Sequence, residues 1–239
     1  EVVVAPEFAP GTLDRLGERK NLRIMRIANM EQLQRYRGQN VIELKALIDG
    51  GMIVQWSQVP QLQRPDGFTV ARVERRGEVH EITRQPVDAE LRDMYFGWMV
   101  EFGVTSNSVI YVKDGVTVGI GTGEQDRVGV AEIARDKAYR KMADRLAWER
   151  TGEAFRDIET SDEGRAIWEE TVEARGGLRG ATMVSDAFFP FRDGVDVGIR
   201  EGVTAIVQPG GALRDHEVID ACNEADVTMV FTGQRSFRH

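Results

Sequence analysis

The residues best suited to chemistry gather in one short segment, Ser185 to Gly194, which reads SDAFFPFRDG. It follows an apolar stretch, Ala181 to Val184, that is typical of a buried strand. Three aromatic side chains and a proline in four positions disfavour both a helix and a central strand, so we expect a loop. Such a loop is either the wall of a ligand site or a hydrophobic plug with a salt-bridged rim, and the residues alone leave both open.

Two further segments carry groups that suit an anionic ligand. The glycine-rich stretch Gly119 to Gly123 lies between a predicted strand and a helix, with Arg127 at the helix start. Glu124 stands where a dinucleotide fingerprint needs its last glycine, so a tight turn is the favoured interpretation. The segment Gly233 to His239 carries two arginines directly after a predicted strand, and strand ends face ligand crevices in open α/β sheets.

Several other chemistries lack their residues. A deaminase zinc site needs a Pro-Cys-x-x-Cys motif, whereas Cys222 is the single cysteine and His80, His216 and His239 lie far apart in sequence. No Gly-x-Ser-x-Gly motif supports a serine hydrolase. We therefore predict no metal site.

Composition narrows the class of protein further. The formal net charge of −8 argues against nucleic acid as a partner, because phosphate contacts need a basic face. A single cysteine fits a reducing compartment, and no apolar run approaches the length of a membrane span. We expect a cytoplasmic protein without a membrane partner.

Two parts of the chain share one order of predicted elements. Glu1 to Ile27 and Thr204 to Phe231 each read as apolar strand, proline, loop, helix, polar break and apolar strand. This pattern predicts a tandem duplication in an α/β fold with helices on both faces of the sheet. The front half of the first copy would lie before Glu1, so that copy is expected to be incomplete.

The predicted division of the chain falls between residues 84 and 85. Residues 1–84 hold the end of the first unit and a connection, and residues 85–239 hold the second unit with a helical insertion near 147–177. Ser108 to Ile120 reads as a hairpin of two strands joined by Lys113-Asp114-Gly115. Thr160 and Glu163 have the spacing of a capping box at a helix start within the insertion.

Long segments of the chain resemble a known family. TSNSVIYVKDGVTVGIGTGEQDRV, SDAFFPFRDG, GVTAIVQPGGALRD and VFTGQRSFRH resemble the phosphoribosylaminoimidazolecarboxamide (AICAR) transformylase half of the bifunctional purine-biosynthesis enzyme family. The resemblance implies tandem cytidine-deaminase-like three-layer α/β/α units, zinc-free, the first unit being incomplete here. It also implies formyl transfer from 10-formyltetrahydrofolate to the AICAR amine, in a homodimer with a shared active site.

The resemblance assigns roles to ten residues. Two belong to the transfer centre: Asn107 as an active-site amide and Asp193 as the holder of a proton-relaying water. Four bind the nucleotide, namely Glu1, Phe188, Arg235 and Phe237, and four line the folate pocket, namely Arg127, Val128, Pro190 and Phe191. Because Phe188 and Arg235 each follow a strand, we expect them to meet at one edge of the sheet.

The chain also departs from the family pattern. The family's Lys-His acid/base pair precedes the stretch that begins at Glu1, so this chain alone is expected to be inactive. Met99 stands in place of a common lysine, Gln55-Trp56-Ser57 lacks an acid, and Ser236 replaces a frequent histidine. The alternative function is a catalytically silent nucleotide-binding or assembly subunit that keeps the pocket.

Overall fold

A computed structural model describes residues 1–36 and 38–238 of the chain, so that His239 lies outside the described residues. The chain divides into two compact units, Glu1–Val59 and Pro60–His239, and each is described by itself. The predicted boundary between the two duplicated units, at residues 84/85, stays a prediction.

The first unit contains a parallel strand pair and a hairpin. Its elements are β1 (Val2–Ala5), α1 (Thr12–Gly17), β2 (Arg23–Arg26), a 3₁₀ helix (Met30–Tyr36), β3 (Ile42–Ala46) and β4 (Met52–Trp56). β1 pairs in parallel with β2, and β3 pairs antiparallel with β4. The predicted strand–helix–strand order of Glu1 to Ile27 is confirmed. None of the described residues of this unit is buried.

The second unit contains a six-stranded sheet and six α-helices among its described residues. The strands are β5 (Thr69–Val70), β6 (Arg72–Arg75), β7 (Glu78–Glu81), β8 (Val109–Lys113), β9 (Val116–Gly121), β10 (Thr182–Ser185), β11 (Ala205–Gln208) and β12 (Thr228–Phe231). The α-helices are α2 (Asp88–Glu101), α3 (Arg127–Thr151), α4 (Phe155–Ile158), α5 (Asp162–Glu173), α6 (Arg192–Arg200) and α7 (Asp215–Glu224). Two 3₁₀ turns complete the unit, Pro65–Gly67 and Arg175–Gly177.

The main sheet is mixed, with the order β5-β12-β11-β10-β8-β9. β10, β11 and β12 run parallel to one another, whereas β8 is antiparallel to β10 and forms the predicted hairpin with β9. β6 and β7 form a separate hairpin. The predicted α/β class is confirmed in this mixed sheet with its helices.

Side chains of successive strand residues enter two different cores, one on each face of the sheet. Met183 and Ile206 belong to the larger core, which includes residues of α3, α6 and α7. Val184 and Val207 belong to the smaller core, together with Met94 and Trp98 of α2. Because side chains alternate along a strand, helices must cover both faces, as the sequence predicted.

The predicted capping box was wrong by one residue. α5 begins after Ser161, whose hydroxyl oxygen accepts a hydrogen bond from the Gly164 N–H at 3.0 Å. Thr160 contributes its carbonyl oxygen to Arg165 instead. Thr and Ser both suit the N-cap position. The structure uses Ser161, whose hydroxyl oxygen reaches the N–H of the third helical residue, Gly164.

Two glycines of β9 allow α3 to lie close against the sheet. A Cβ atom at Gly119 would lie 2.1 Å from the Ala134 carbonyl oxygen, and one at Gly121 would lie 2.2 Å from that of Val130. Both obstacles are backbone atoms that cannot rotate away. These glycines therefore serve helix–sheet packing, a role that the sequence interpretation of a turn missed.

The substitution Gly119→Ala is expected to destabilise the protein by about 1–3 kcal/mol, because α3 must move away from β9. The measurement is chemical denaturation followed by circular dichroism. Gly103→Ala serves as the control, since the nearest obstacle to its Cβ is the Val100 carbonyl oxygen at 3.4 Å. Equal stability of the two variants would contradict this explanation of Gly119.

Candidate functional site

The sheet brings the predicted site segments to one edge. The carboxyl ends of β10, β11 and β12 lie side by side, with Val184 opposite Val207 and Gln208 opposite Phe231. β8 runs the other way, so its first residue, Val109, pairs with Ser185 at that same edge. The loops after the three parallel strands and the segment before β8 therefore meet there.

Arg127 joins several of these segments from the first turn of α3. Asp126 caps the helix by accepting a hydrogen bond from the Gly129 N–H at 2.7 Å, which places Arg127 at the first helical position. Arg127 Nη1 donates to the Ser108 carbonyl oxygen at 3.0 Å, to Ser185 Oγ at 3.1 Å, and to Asp186. Its Nη2 donates to Asn107 Oδ1 at 3.3 Å.

Asp186 is the fully buried acidic partner of Arg127. Its second carboxylate oxygen accepts a hydrogen bond from the Ser106 hydroxyl. Its backbone carbonyl accepts from the Ser236 N–H at 3.0 Å. A single residue after β10 thereby holds α3, the segment before β8 and the C-terminal segment.

Ser106 fixes the C-terminal segment a second time. Its N–H donates to the Arg238 carbonyl at 2.8 Å, and its hydroxyl accepts from the Arg238 N–H at 3.0 Å. The Arg238 guanidinium reaches the Phe102 carbonyl at 3.3 Å. These hydrogen bonds attach the segment after β12 to the edge of the sheet where the site segments meet.

A second buried acid, Glu101, lies beside this ion pair. One of its carboxylate oxygens accepts a hydrogen bond from the Ser108 hydroxyl. Burial raises the pKa of Glu101 well above its ordinary value; nearby Asp186 adds to the rise, while the Ser108 hydrogen bond and Arg127 oppose it. Glu101 was missed by the sequence interpretation because the end of a helix usually faces solvent.

The aromatic loop divides into buried and accessible rings. Phe189 is fully buried, and its N–H donates to the side-chain oxygen of buried Gln208 at 2.9 Å. Phe188 is half-buried, and the Arg235 guanidinium carbon lies 4.7 Å from its ring centroid. Arg235 also lies 5.9 Å from the centroid of Phe237. The predicted proximity of Phe188 and Arg235 is confirmed.

Phe191 and Asp193 occupy the exposed start of α6. Phe191 is the N-cap residue and is 48% exposed, with exposed Pro190 before it. The Arg214 guanidinium carbon lies 5.0 Å from the Phe191 ring centroid. Asp193 accepts from the Gly194 N–H at 2.8 Å. Arg214 was not predicted, although its place in the loop after β11 indicates this edge of the sheet.

The glycine loop after β11 is held by its own carboxylate. Asp215 is 2% exposed and accepts hydrogen bonds from the N–H groups of Gly211 at 2.7 Å and Ala212 at 3.0 Å. Burial raises the pKa of Asp215 against these two hydrogen bonds. Because these N–H groups point at Asp215, the geometry favours a plain loop over an anion site.

The two remaining predicted site residues are Val128 and Glu1. Val128 is partly buried and packs against the larger core. Glu1 belongs to the first unit, where its side chain is exposed and its carbonyl oxygen accepts from the Arg23 N–H at 2.9 Å.

The described ranges, 1–36 and 38–238, hold neither a metal-ligating cluster nor a membrane-spanning helix. These ranges contain no group of three or more His, Cys, Asp or Glu side chains placed to hold a metal ion. Within them, no helix has both the length and the apolar character to cross a membrane.

Comparison with known proteins decides the family. The model of the AICARFT/IMPCHase bienzyme family matches residues 1–137. The chain belongs to this family. It is 35% identical over its whole length to the bifunctional purine biosynthesis proteins PurH of Magnetococcus marinus and Xanthomonas campestris pv. campestris, of which it covers 37% and 36%. The match to PurH of Clostridium perfringens is also 35% identical, covering 36% of that protein.

This member of the AICARFT/IMPCHase family spans little more than a third of the length of those relatives. Those relatives are named as bifunctional purine biosynthesis proteins.

The substitution Arg127→Met is expected to cost about 3–5 kcal/mol of stability, because it leaves Asp186 buried without its cation. Adding Asp186→Asn should recover at least half of that loss, since the uncompensated charge is then gone. Chemical denaturation of the single and double variants measures both effects.

Arg192→Met is the matched control, because Arg192 pairs with Asp196 and Glu224 in solvent and should cost at most about 1 kcal/mol. If Arg127→Met were no more destabilising than Arg192→Met, the buried pair would not organise this edge.

Proposed function

We propose that this chain forms the C-terminal portion of a site that transfers a formyl group from 10-formyltetrahydrofolate to the amine of AICAR, in purine (inosinate) biosynthesis. The observation that carries the proposal is the meeting of Arg235, Phe188 and the Asn107–Arg127 pair at one edge of the sheet. Membership of the AICARFT/IMPCHase family supports it.

The nucleotide is proposed to bind between Phe188, Phe237 and Arg235. A half-buried phenylalanine offers a flat apolar face to an imidazole ring, and an arginine fork suits a phosphate or a carboxamide oxygen. Arg235 already lies over the Phe188 ring, so one ligand can touch both side chains. Glu1 is proposed to hold the ribose hydroxyls, on the resemblance alone.

The folate is proposed to bind along Pro190 and Phe191, with Arg127 and Val128 bordering the pocket. Phe191 presents an exposed ring suited to a flat pterin, and Arg214 lies beside that ring. The guanidinium of Arg214 could balance the carboxylates that a folate carries. We therefore add Arg214 to the proposed folate contacts.

Asn107 and Asp193 are proposed to act at the transfer step. A bond forms between the AICAR nitrogen and the formyl carbon, the bond from that carbon to the folate nitrogen breaks, and a proton moves from the amine to the folate nitrogen. Because this amine is a poor nucleophile, positioning and proton removal must supply much of the rate. Asn107 would contact the transferring group, and Asp193 would hold the water that relays the proton.

The fold and assembly implied by the resemblance are also proposals. The parallel pairs β1–β2 and β11–β12, each spanning one helix, support the tandem repeat. Deaminase-like units divided near 84/85, without zinc, are proposed on the resemblance. A cytoplasmic homodimer with a shared active site is proposed on the same resemblance.

The alternative function is a nucleotide-binding or assembly subunit without catalytic activity. One observation favours it: the printed sequence contains no adjacent Lys-His pair, the acid/base of the family pattern. We propose that this chain alone binds both substrates and does not turn them over. In a spectrophotometric assay of formyl transfer we expect no turnover by this chain, and turnover that Asp193→Ala abolishes would exclude the silent subunit.

The substitution Arg235→Lys is expected to weaken AICAR binding about tenfold or more and folate binding less than twofold, because lysine loses the bidentate geometry. Phe191→Ala should show the reverse preference. Isothermal titration calorimetry with AICAR and with a stable folate analogue measures the four dissociation constants.

Arg192→Lys is the control. The Arg192 side chain donates hydrogen bonds to Asp196 and Glu224, so we expect this substitution to leave both affinities unchanged. Equal losses of AICAR and folate affinity in Arg235→Lys and Phe191→Ala would contradict the assignment of separate contacts.

A further inference from the structure

Glu101 is a buried acid for which the proposed transfer step has no use. It is the last residue of α2 and has no exposed surface. One carboxylate oxygen is bonded to the Ser108 hydroxyl, and among the described residues the other oxygen has no hydrogen-bond partner. A buried carboxyl that is half satisfied costs stability, so a merely structural residue at this position would be better apolar.

Three hydrogen bonds lead from Glu101 to the proposed active-site amide. Glu101 holds the hydroxyl of Ser108, and the carbonyl of that serine accepts from Arg127 Nη1 at 3.0 Å. Arg127 Nη2 then reaches Asn107 Oδ1 at 3.3 Å. We propose that Glu101 is a positioning residue, which sets the orientation of the Asn107 amide through Ser108 and Arg127. The catalytic part of this role rests on the proposed function.

Asn107 is restrained on its other side as well. Its side-chain nitrogen donates to the Gln125 carbonyl oxygen at 3.1 Å. The amide is thus held between a fixed acceptor and the guanidinium of Arg127. A displacement of Arg127 must therefore rotate or release the amide.

The charges around Glu101 explain how ionisation of its carboxyl group could displace Arg127. The charged groups that face Glu101 are Asp186, after β10, and Arg127, at the start of α3, while the segment before β8 contributes the neutral Ser108. One cation thus serves two buried acids. Asp186 is paired with Arg127, and burial raises the pKa of Glu101, which favours its neutral form. An ionised Glu101 would compete with Asp186 for the guanidinium and draw it away from Asn107.

The experiment follows the Asn107 side-chain amide by proton–nitrogen NMR between pH 5 and 8.5. Its resonance pair is assigned by its loss in Asn107→Asp. We compare the native chain with Glu101→Gln, which keeps a hydrogen-bonding group but cannot ionise, and with Glu101→Leu, which removes the hydrogen bond. Glu153→Gln, an exposed acid in the loop after α3, is the matched control.

In the native chain and in Glu153→Gln, we expect the Asn107 pair to shift in one titration above the ordinary range of glutamate. In Glu101→Gln the titration should vanish while the resonances keep their low-pH positions. In Glu101→Leu the pair should be displaced at every pH. A folded Glu101→Leu variant with unmoved Asn107 resonances, or a titration that persists in Glu101→Gln, would overturn the proposal. If Glu101→Leu does not fold, the Glu101→Gln titration decides.

The pH dependence of folding gives an independent check on the charge state. Because the native state holds the Glu101 proton more tightly than the unfolded chain does, the contribution of Glu101 to native stability falls as pH rises above about 4.3, the unfolded value. Glu101→Gln has no such proton to lose. The ratio of its folding equilibrium constant to that of the native chain should therefore rise with pH, by at most about tenfold per pH unit. A constant ratio between pH 4 and 8 would overturn the neutral state of Glu101.

Ligand binding separates this proposal from the proposed function. Glu101→Leu is expected to weaken binding of a folate analogue about tenfold while Glu101→Gln at pH 6 binds as the native chain does. If the native chain binds neither AICAR nor the analogue, the proposed function fails, and the NMR titration still decides the role of Glu101. Native-like binding by a folded Glu101→Leu would overturn the positioning role.

Discussion

The buried ion pair between Arg127 and Asp186 is the contact on which the rest of the site edge depends. Both side chains are removed from water, so the pair is favourable only if their remaining hydrogen-bonding groups are also satisfied. Ser106, Ser108 and Ser185 provide those partners. These three serines come from the segment before β8 and from the end of β10, and the pair thereby links parts of the chain that are remote in sequence.

The topology of the sheet explains why this pair lies next to the aromatic loop. Parallel strands β10, β11 and β12 end at one edge, and antiparallel β8 begins there. Within the loop, Phe189 is buried and its backbone is held by Gln208, so that Phe188 and Phe191 remain accessible on either side. Phe189 thus matches the predicted hydrophobic plug, while Phe188 and Phe191 as the wall of a ligand site stay a proposal.

Much of this arrangement could be predicted from the sequence. Apolar runs and turn residues are local signals, and they indicated the hairpin of β8 and β9 and the repeated strand–helix–strand order. The proximity of Phe188 and Arg235 followed from a general rule on parallel strands.

The remaining features depend on contacts between distant residues, which a single sequence does not indicate. Arg127 lies 59 positions from Asp186, and no periodicity relates them. Glu101 has the position of a solvent-exposed charge at a helix end, whereas it lies in the interior. Gly119 lies in a glycine-rich stretch that is typical of a turn, but the structure needs glycine there because the backbone of α3 leaves no room for a Cβ atom. In each case the role of the residue depends on a neighbouring group that is distant in sequence.

Our central claim is that a single nucleotide site lies at this sheet edge. It is tested most directly by mapping the backbone amide resonances of the chain during titration with AICAR. We expect saturable shifts concentrated in residues 106–107, 186–191 and 234–238. Shifts concentrated elsewhere, for example in the cleft between α3, α4 and α5 that Phe155 and Trp168 line, would contradict it.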